Sequence, residues 1–309
     1  MSWARPRALR SGDLLGICAP AGAVDIGRLR RGIERLEQMG FRVKVGDAVA
    51  KRHIYTAGTA EERLADLHGL FADDDVAAVI CARGGAGAGS LLPRLDLDLL
   101  RAHFKPFIGY SDVTYLHLVF NALALVTFHG PMVAWEFALG AFDEASWRAA
   151  LQGGGAPYAT EPGDLVCLRD GEGEGRLLGG CLSILAAAAG TDWALATGGE
   201  DTILFLEDQD EPPYRIDRML WQLRQSDALA GVRGIVFGDM KGCSPSVSAD
   251  YGLEDVILEA LSGLEVPVAL GLSSGHTTSP NVTLPLGARV RLRTSEEALF
   301  EVLEPAVSA

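Results

Sequence analysis

Positive charge is scarce in this sequence of 309 residues: 27 Lys and Arg stand against 41 Asp and Glu, a formal net charge of −14. That balance argues against a nucleic-acid partner, because phosphate backbones are bound through clustered Lys and Arg. Long apolar runs are also missing. The longest apolar-rich stretch, 118–128, is broken by Asn121 and falls short of the ~20 residues a membrane helix needs. The N-terminus carries arginines, but the segment after them contains Asp13 and Pro20 and lacks a clean signal-peptide core. Cysteine is sparse: five residues at 18, 81, 167, 181 and 243, odd in number and never in a C-x-x-C pair. Such a set reads as reduced, buried thiols of a cytoplasmic protein, not as a disulfide or zinc framework. Histidine is sparse too, with six residues and no H-x-x-x-H or H-x-x-E-H spacing, so no metal site is expected. No Walker-type glycine loop occurs, and a dinucleotide fingerprint read from Gly85 fails at Ser90. No cofactor is expected.

What is present is a chain with real cores, since 48% of its residues are apolar. Its first half alternates short apolar runs with helical patterns. Residues 13–19 read as a strand. Apolar residues at 26, 29, 33, 36 and 39 line one helix face, which Gly40 ends. Residues 41–45 alternate like a strand, and Thr59-Ala60-Glu61-Glu62 is a capping box that opens a helix to about Phe71. The β-branched run 76–81 fits a strand buried on both faces. Residues 107–110 form another strand, followed by a helix from Asp112. This alternation predicts a parallel sheet with covering helices, a Rossmann-like α/β domain over 1–151. Residues 152–175 are rich in Gly, Pro and charge and read as a linker. A smaller α/β domain is expected over 176–309, with a helix at 182–189, a strand at 202–206, an amphipathic segment at 214–225 and a strand at 232–237. Further strands are expected near 267–270, 288–293 and 299–303.

A few residues stand out chemically. In Ile108-Gly109-Tyr110-Ser111-Asp112 a strand ends, glycine permits a tight turn, and a serine sits where a helix begins. Such a junction lifts the hydroxyl clear of the sheet and presents free backbone N–H groups to a developing oxyanion. Taken alone, it reads first as an ordinary helix N-cap. The glycines from Gly84 to Gly89 follow a buried strand, where backbone can approach a ligand closely or simply make a tight connection. His276 lies in a polar loop, free to act as a base near neutral pH, and His129 at the end of an apolar run is its rival. Glu207 closes the strand 202–206, where a buried carboxylate needs a partner. Asp208 and Asp210 are its neighbours and alternatives.

Taken together, these stretches resemble the LD-carboxypeptidases, serine peptidases acting on murein tetrapeptides. The resemblance rests on Gly12-Asp13 with Ala19-Pro20-Ala21-Gly22; Ala82-Arg83-Gly84-Gly85; Ile108-Gly109-Tyr110-Ser111-Asp112; and His129-Gly130-Pro131-Met132. It continues through Gly179-Gly180 with Leu182-Ser183; Leu206-Glu207-Asp208 with Pro213-Tyr214-Arg215-Ile216-Asp217-Arg218; and Gly275-His276 with Thr283-Leu284-Pro285-Leu286-Gly287. It implies a Ser–His–Glu triad at Ser111, His276 and Glu207, in a cleft between two α/β domains. It further implies an oxyanion hole from the N–H of Asp112 and of the Gly84-Gly85 turn, and release of a terminal D-amino acid, typically D-alanine, in peptidoglycan recycling. A free substrate carboxylate calls for a cation, for which Arg83 and Arg215 are candidates, though each reads first as an ordinary structural ion pair. The expected partner is a small murein-derived peptide, without nucleic acid or membrane; a homodimer is allowed.

The sequence departs from the family pattern at Ala86, where tyrosine is usual, at Ser90, where arginine is usual, and at Cys181, where asparagine is usual. The loop from His276 to Asn281 also runs one residue longer. Two other readings stay open. One is a peptidase of the microcin-immunity type, cleaving an acyl-amide or peptide–nucleotide with Trp135 as a stacking surface. The other is an inactive module that binds small anionic peptides.

Overall fold

The computed structural model of the protein describes residues 3–153, 158–197, 199–295 and 297–309. Residues 154–157 of the expected linker lie outside them. The strands are β1 (Leu14–Cys18), β2 (Arg42–Val45), β3 (Val76–Cys81), β4 (Phe107–Gly109), β5 (Thr127–His129), β6 (Val166–Arg169), β7 (Glu172–Cys181), β8 (Thr202–Glu207), β9 (Val232–Gly238), β10 (Val268–Leu272), β11 (Leu284–Leu286), β12 (Arg289–Arg293) and β13 (Leu299–Val302). The helices are α1 (Ile26–Gln38), α2 (Ala60–Ala72), α3 (Leu97–Ala102), α4 (Thr114–Ala122), α5 (Glu144–Leu151), α6 (Leu182–Ala188), α7 (Pro213–Gln225) and α8 (Leu253–Ala260). None is long and apolar enough to cross a membrane among the described residues.

They build an α/β fold on two sheets. The first, six-stranded, has the order β11-β5-β4-β3-β1-β2, and the second, seven-stranded, β13-β12-β7-β8-β9-β10-β6. Strands β1 to β5 run parallel in the first sheet, and β7 to β10 run parallel in the second. The reason is local: β8 is buried along its whole length, as only a strand covered on both faces can be. Thr59 and Glu62 make the reciprocal capping-box bonds that start α2, as the sequence predicts.

The structure differs from the sequence reading in three places. The 152–175 zone is not all loop: β6 lies in it and β7 begins in it, at Glu172. The helix expected from Asp112 starts at Thr114, after a tight turn over Ser111–Val113. And β11, unrecognised in the sequence, leaves the second half of the chain to pair antiparallel with β5 of the first sheet. The two sheets are also joined through α4, whose Leu118 packs into the core around Leu178, Leu182 and Leu206. The end of β8 thereby lies against the adjacent ends of β4 and β5, with Glu207 Oε1 3.8 Å from His129 Nε2.

Candidate active site

Ser111 sits where β4 gives way to α4, with φ of +66°. A non-glycine residue in this left-handed region is uncommon and held there only by its surroundings. Tyr110 before it is fully extended, so the chain turns sharply at the serine itself. The glycine loop after β3 runs alongside. A Cβ placed on Gly84 would come within 2.8 Å of Ser111 Cβ, so only glycine permits this approach. The loop is pinned at both ends: Gly22 N–H donates to Gly84 O at 3.0 Å, and Ala88 N–H donates to Asp112 Oδ2 at 2.7 Å. Neither Gly84 nor Gly85 donates its backbone N–H to another described residue. Asp112 therefore does more than offer a backbone N–H. Its buried carboxyl locks the glycine loop to the serine turn, and burial, opposed by that hydrogen bond and by Arg63, raises its pKa.

A carboxylate at the end of β8 and a histidine in the loop after β10 meet beside this turn. Glu207, the last residue of β8, is wholly buried. Its Oε2 accepts two hydrogen bonds from one residue: His276 Nδ1 at 2.8 Å and His276 N–H at 2.9 Å. Gly275, at φ +86°, is what lets the loop close so near; a Cβ there would meet Glu207 Oε2 at 2.5 Å. The Asn281 side chain braces the same glycine, accepting from its N–H at 3.1 Å and donating to its carbonyl at 3.2 Å. With Nδ1 turned to the acid, Nε2 of His276 is the nitrogen left for chemistry.

Burial opposes charge on His276, but the Glu207 charge and hydrogen bond outweigh it, helped by Asp208 and Glu136, and the pKa is raised above 6.5. For Glu207, burial is likewise the largest single effect and pushes upward, yet the charges and contacts of His276 and His129 hold the carboxyl well below its ordinary range.

Ser111, His276, Gly84 and Gly85 line one cavity of about 220 Å³, together with Arg83, Tyr110, Trp135, Glu136 and Lys241. No hydrogen bond joins Ser111 Oγ to His276 among the described residues; in unliganded hydrolases this bond commonly tightens only with substrate. A larger open cleft of about 950 Å³ lies beside it and shares Lys241, but holds none of Ser111, Glu207 and His276.

Two family profiles together match most of the chain. The profile of the LD-carboxypeptidase N-terminal domain matches residues 15–130, and that of the C-terminal domain matches residues 174–292. The chain belongs to the LD-carboxypeptidase family. It is 40% identical to a probable murein peptide carboxypeptidase of Bacillus subtilis over 313 residues, covering 98% of this chain and 95% of that one. It is 30% identical to the microcin C7 self-immunity protein MccF of Escherichia coli, covering 92% and 91%. The crystal structure of a muramoyltetrapeptide carboxypeptidase from Oxalobacter formigenes superposes with a TM-score of 0.82 at 32% identity, covering 94% of this chain and 99% of that one.

Within this LD-carboxypeptidase-family chain the two candidate arginines part company. Arg83 lines the cavity and donates to the carbonyls of Ala23 and Gly84, at 3.0 and 3.2 Å. Arg215 is exposed on α7, bonds Glu211 at 3.2 Å and is not among the cavity residues. Lys241, which carries no local signal that would single it out, lines the cavity and has no ion-pair partner among the described residues. The departures also find places. Beside Ser90 stands the buried guanidinium of Arg63, which donates to Ser90 Oγ at 3.2 Å, to Gly87 O at 2.9 Å and to Pro20 O. Cys181 ends β7 opposite Glu207, and its backbone N–H donates to Thr114 Oγ1 at 3.1 Å. Ala86 is exposed and nothing in the structure explains it.

Proposed function

We propose that this chain is a serine LD-carboxypeptidase that removes a C-terminal D-amino acid, D-alanine, from a murein-derived tetrapeptide. One observation carries the reading: a buried carboxylate bonds His276 at 2.8 Å on the wall of the cavity that also holds Ser111. In the proposed mechanism His276 Nε2 takes the proton from Ser111 Oγ as the oxygen attacks the peptide carbonyl. The oxyanion meets the backbone N–H groups of Asp112 and of the Gly84-Gly85 turn. His276 then returns the proton to the leaving amine. Water, deprotonated by the same imidazole, hydrolyses the acyl-enzyme and restores Ser111. Glu207 holds the imidazole tautomer and stabilises the imidazolium. The terminal carboxylate of the substrate meets Arg83 and Lys241. The reading extends to a cytoplasmic enzyme of peptidoglycan recycling, divided into domains 1–151 and 176–309 about the 152–175 segment.

A microcin-immunity-type specificity is the second reading, favoured by Trp135, which lines the cavity and is 46% exposed. Arg28 already covers one face of that ring at 4.2 Å, leaving one for a ligand. Incubation with murein tetrapeptide, with D-alanine followed by mass spectrometry, tests the proposal. Release that disappears in Ser111→Ala supports it. Binding without release would make the chain a peptide-binding module, and cleavage only of an acyl-amide nucleotide would favour the second reading.

A further inference from the structure

The Glu207 carboxylate is satisfied on one side only. Oε2 takes both bonds from His276, while Oε1 has no hydrogen-bond partner among the described residues. It faces Nε2 of His129, 3.8 Å away, which is equally without one. Both side chains are completely buried. His129 ends β5 in the first sheet and Glu207 ends β8 in the second, so this pair joins the two sheets beneath the cavity. The other nitrogen of His129, Nδ1, lies 3.0 Å from Ser274 Oγ, which is also 2.9 Å from Val282 O; with the ring proton on Nε2, the one hydroxyl hydrogen turns to Nδ1. Ser274 stands two positions before His276 in the same loop. An ionised carboxylate can only accept, so only an Nε2–H makes its approach to His129 attractive. Closing the gap by roughly 1 Å would give an N–H···O bond of ordinary length.

We propose that His129 is a positioning residue for the reaction, its Nε2–H holding Glu207 Oε1 while its Nδ1 holds the loop that carries His276. It touches no substrate, being absent from the cavity wall. It acts through Glu207: with Oε1 held, the carboxylate cannot rotate away as His276 takes up and returns its proton. This inference rests on the Ser111–His276–Glu207 reading. The charged and titratable groups about the network are Asp208, Glu136 and Tyr110 on the His276 side, and Tyr110 and His117 on the His129 side.

Two substitutions in the full-length chain separate this role from a merely structural one. Glutamine carries its amide where Nε2 was and can still donate to Glu207. Asparagine carries its amide where Nδ1 was and can still bond Ser274. With murein tetrapeptide as substrate, His129→Asn should lower kcat roughly 10- to 100-fold with KM within about twofold, the size usual for the loss of a supporting hydrogen bond. His129→Gln should recover at least about tenfold of that. In the asparagine variant Oε1 loses its donor, negative charge concentrates toward His276, and the acidic limb of kcat should move to higher pH. A kcat for asparagine equal to or above that for glutamine, or an unmoved limb, overturns the proposal. Should either variant fail to fold, 15N–1H spectra of histidine-labelled wild type decide: a proton on His129 Nε2 supports it, and a bare Nε2 overturns it. Glu207→Gln in the same assay keeps the two readings apart. If Glu207→Gln retains turnover, the triad reading falls and this one with it. If Glu207→Gln is inactive while His129→Asn is not, only the present inference falls.

Discussion

The two sides of the cleft are built by different means. On the first-sheet side the backbone does the positioning: a left-handed serine, a glycine loop packed against it and N–H groups left open. On the second-sheet side, side chains do it: a carboxylate with no solvent contact, the histidine that bonds it and an asparagine bracing the loop, with His129 of the first sheet reaching across to the same carboxylate. Backbone geometry is set by a few consecutive residues. A side-chain network is set by residues far apart in the chain, each tolerable only because the others are there.

The comparison breaks most sharply at Ser111. Ser111→Ala should lower D-alanine release by roughly three to six orders of magnitude with the thermal midpoint unchanged within a few degrees, since alanine keeps the shape. Turnover close to wild type would assign the nucleophile elsewhere. On the other side, Glu207→Gln should cost roughly two to four orders of magnitude in kcat by favouring the wrong imidazole tautomer. Its complete burial and two bonds from His276 also set a stability cost: about 1–3 kcal/mol should be lost, visible as a lower midpoint in thermal melts. An unchanged midpoint with intact turnover would remove Glu207 from the site. The backbone side is sharpened by Gly84→Ala. Its added methyl meets Ser111 Cβ at 2.8 Å, so turnover should fall about tenfold or more at a stability cost of about 1–3 kcal/mol. Full activity in this variant would mean that the loop is not a fixed wall of the site.

The smallest effect is in pH. The raised pKa of His276 means its neutral, proton-accepting form is lost as pH falls, so the acidic limb of kcat/KM should lie above 6.5. Stability runs the other way. A histidine whose pKa is raised by folding stabilises fully below its ordinary value of 6.5, and that contribution is lost as pH rises through the raised one. Across this interval the thermal midpoint should therefore fall as activity climbs. A limb below 6.5 would show that burial, not the Glu207 charge, governs the imidazole.

The same division explains what could be read in advance. Most of the parallel strands, the capping box at Thr59 and the strand–turn–helix at Ser111 are local patterns found where the sequence predicts them, the last with its helix starting two residues late, at Thr114. The loop-like reading of 170–175 failed for a physical reason. Glu172 and Glu174 point outward to Arg291 of the neighbouring β12, and Gly173 and Gly175 sit where other backbone crowds in, with a Cβ on Gly175 only 2.5 Å from Asp201 O. A Glu-Gly alternation is a poor strand by composition and a good one in that crowded place. Strand β11 was missed because it is three residues long with Pro285 at its centre, acceptable only at a sheet edge. The meeting of His129 with Glu207 had no local signal, since the two residues belong to different sheets.

That short edge strand has a consequence for how the molecule can come apart. The chain completes its first sheet with β11, after building most of the second, and Ser308 then bonds back to Pro6 and Ala8, with N···O distances of 2.8 and 2.9 Å. The halves are threaded through one another like a buckled strap, not hung side by side on a hinge. A protease cut between 158 and 165 should leave both pieces clasped and turnover largely intact, as a nicked sample run through size exclusion and assayed would reveal. The first half made by itself would present the open flank of β5, and its natural fate is to seek the missing strand in a second copy.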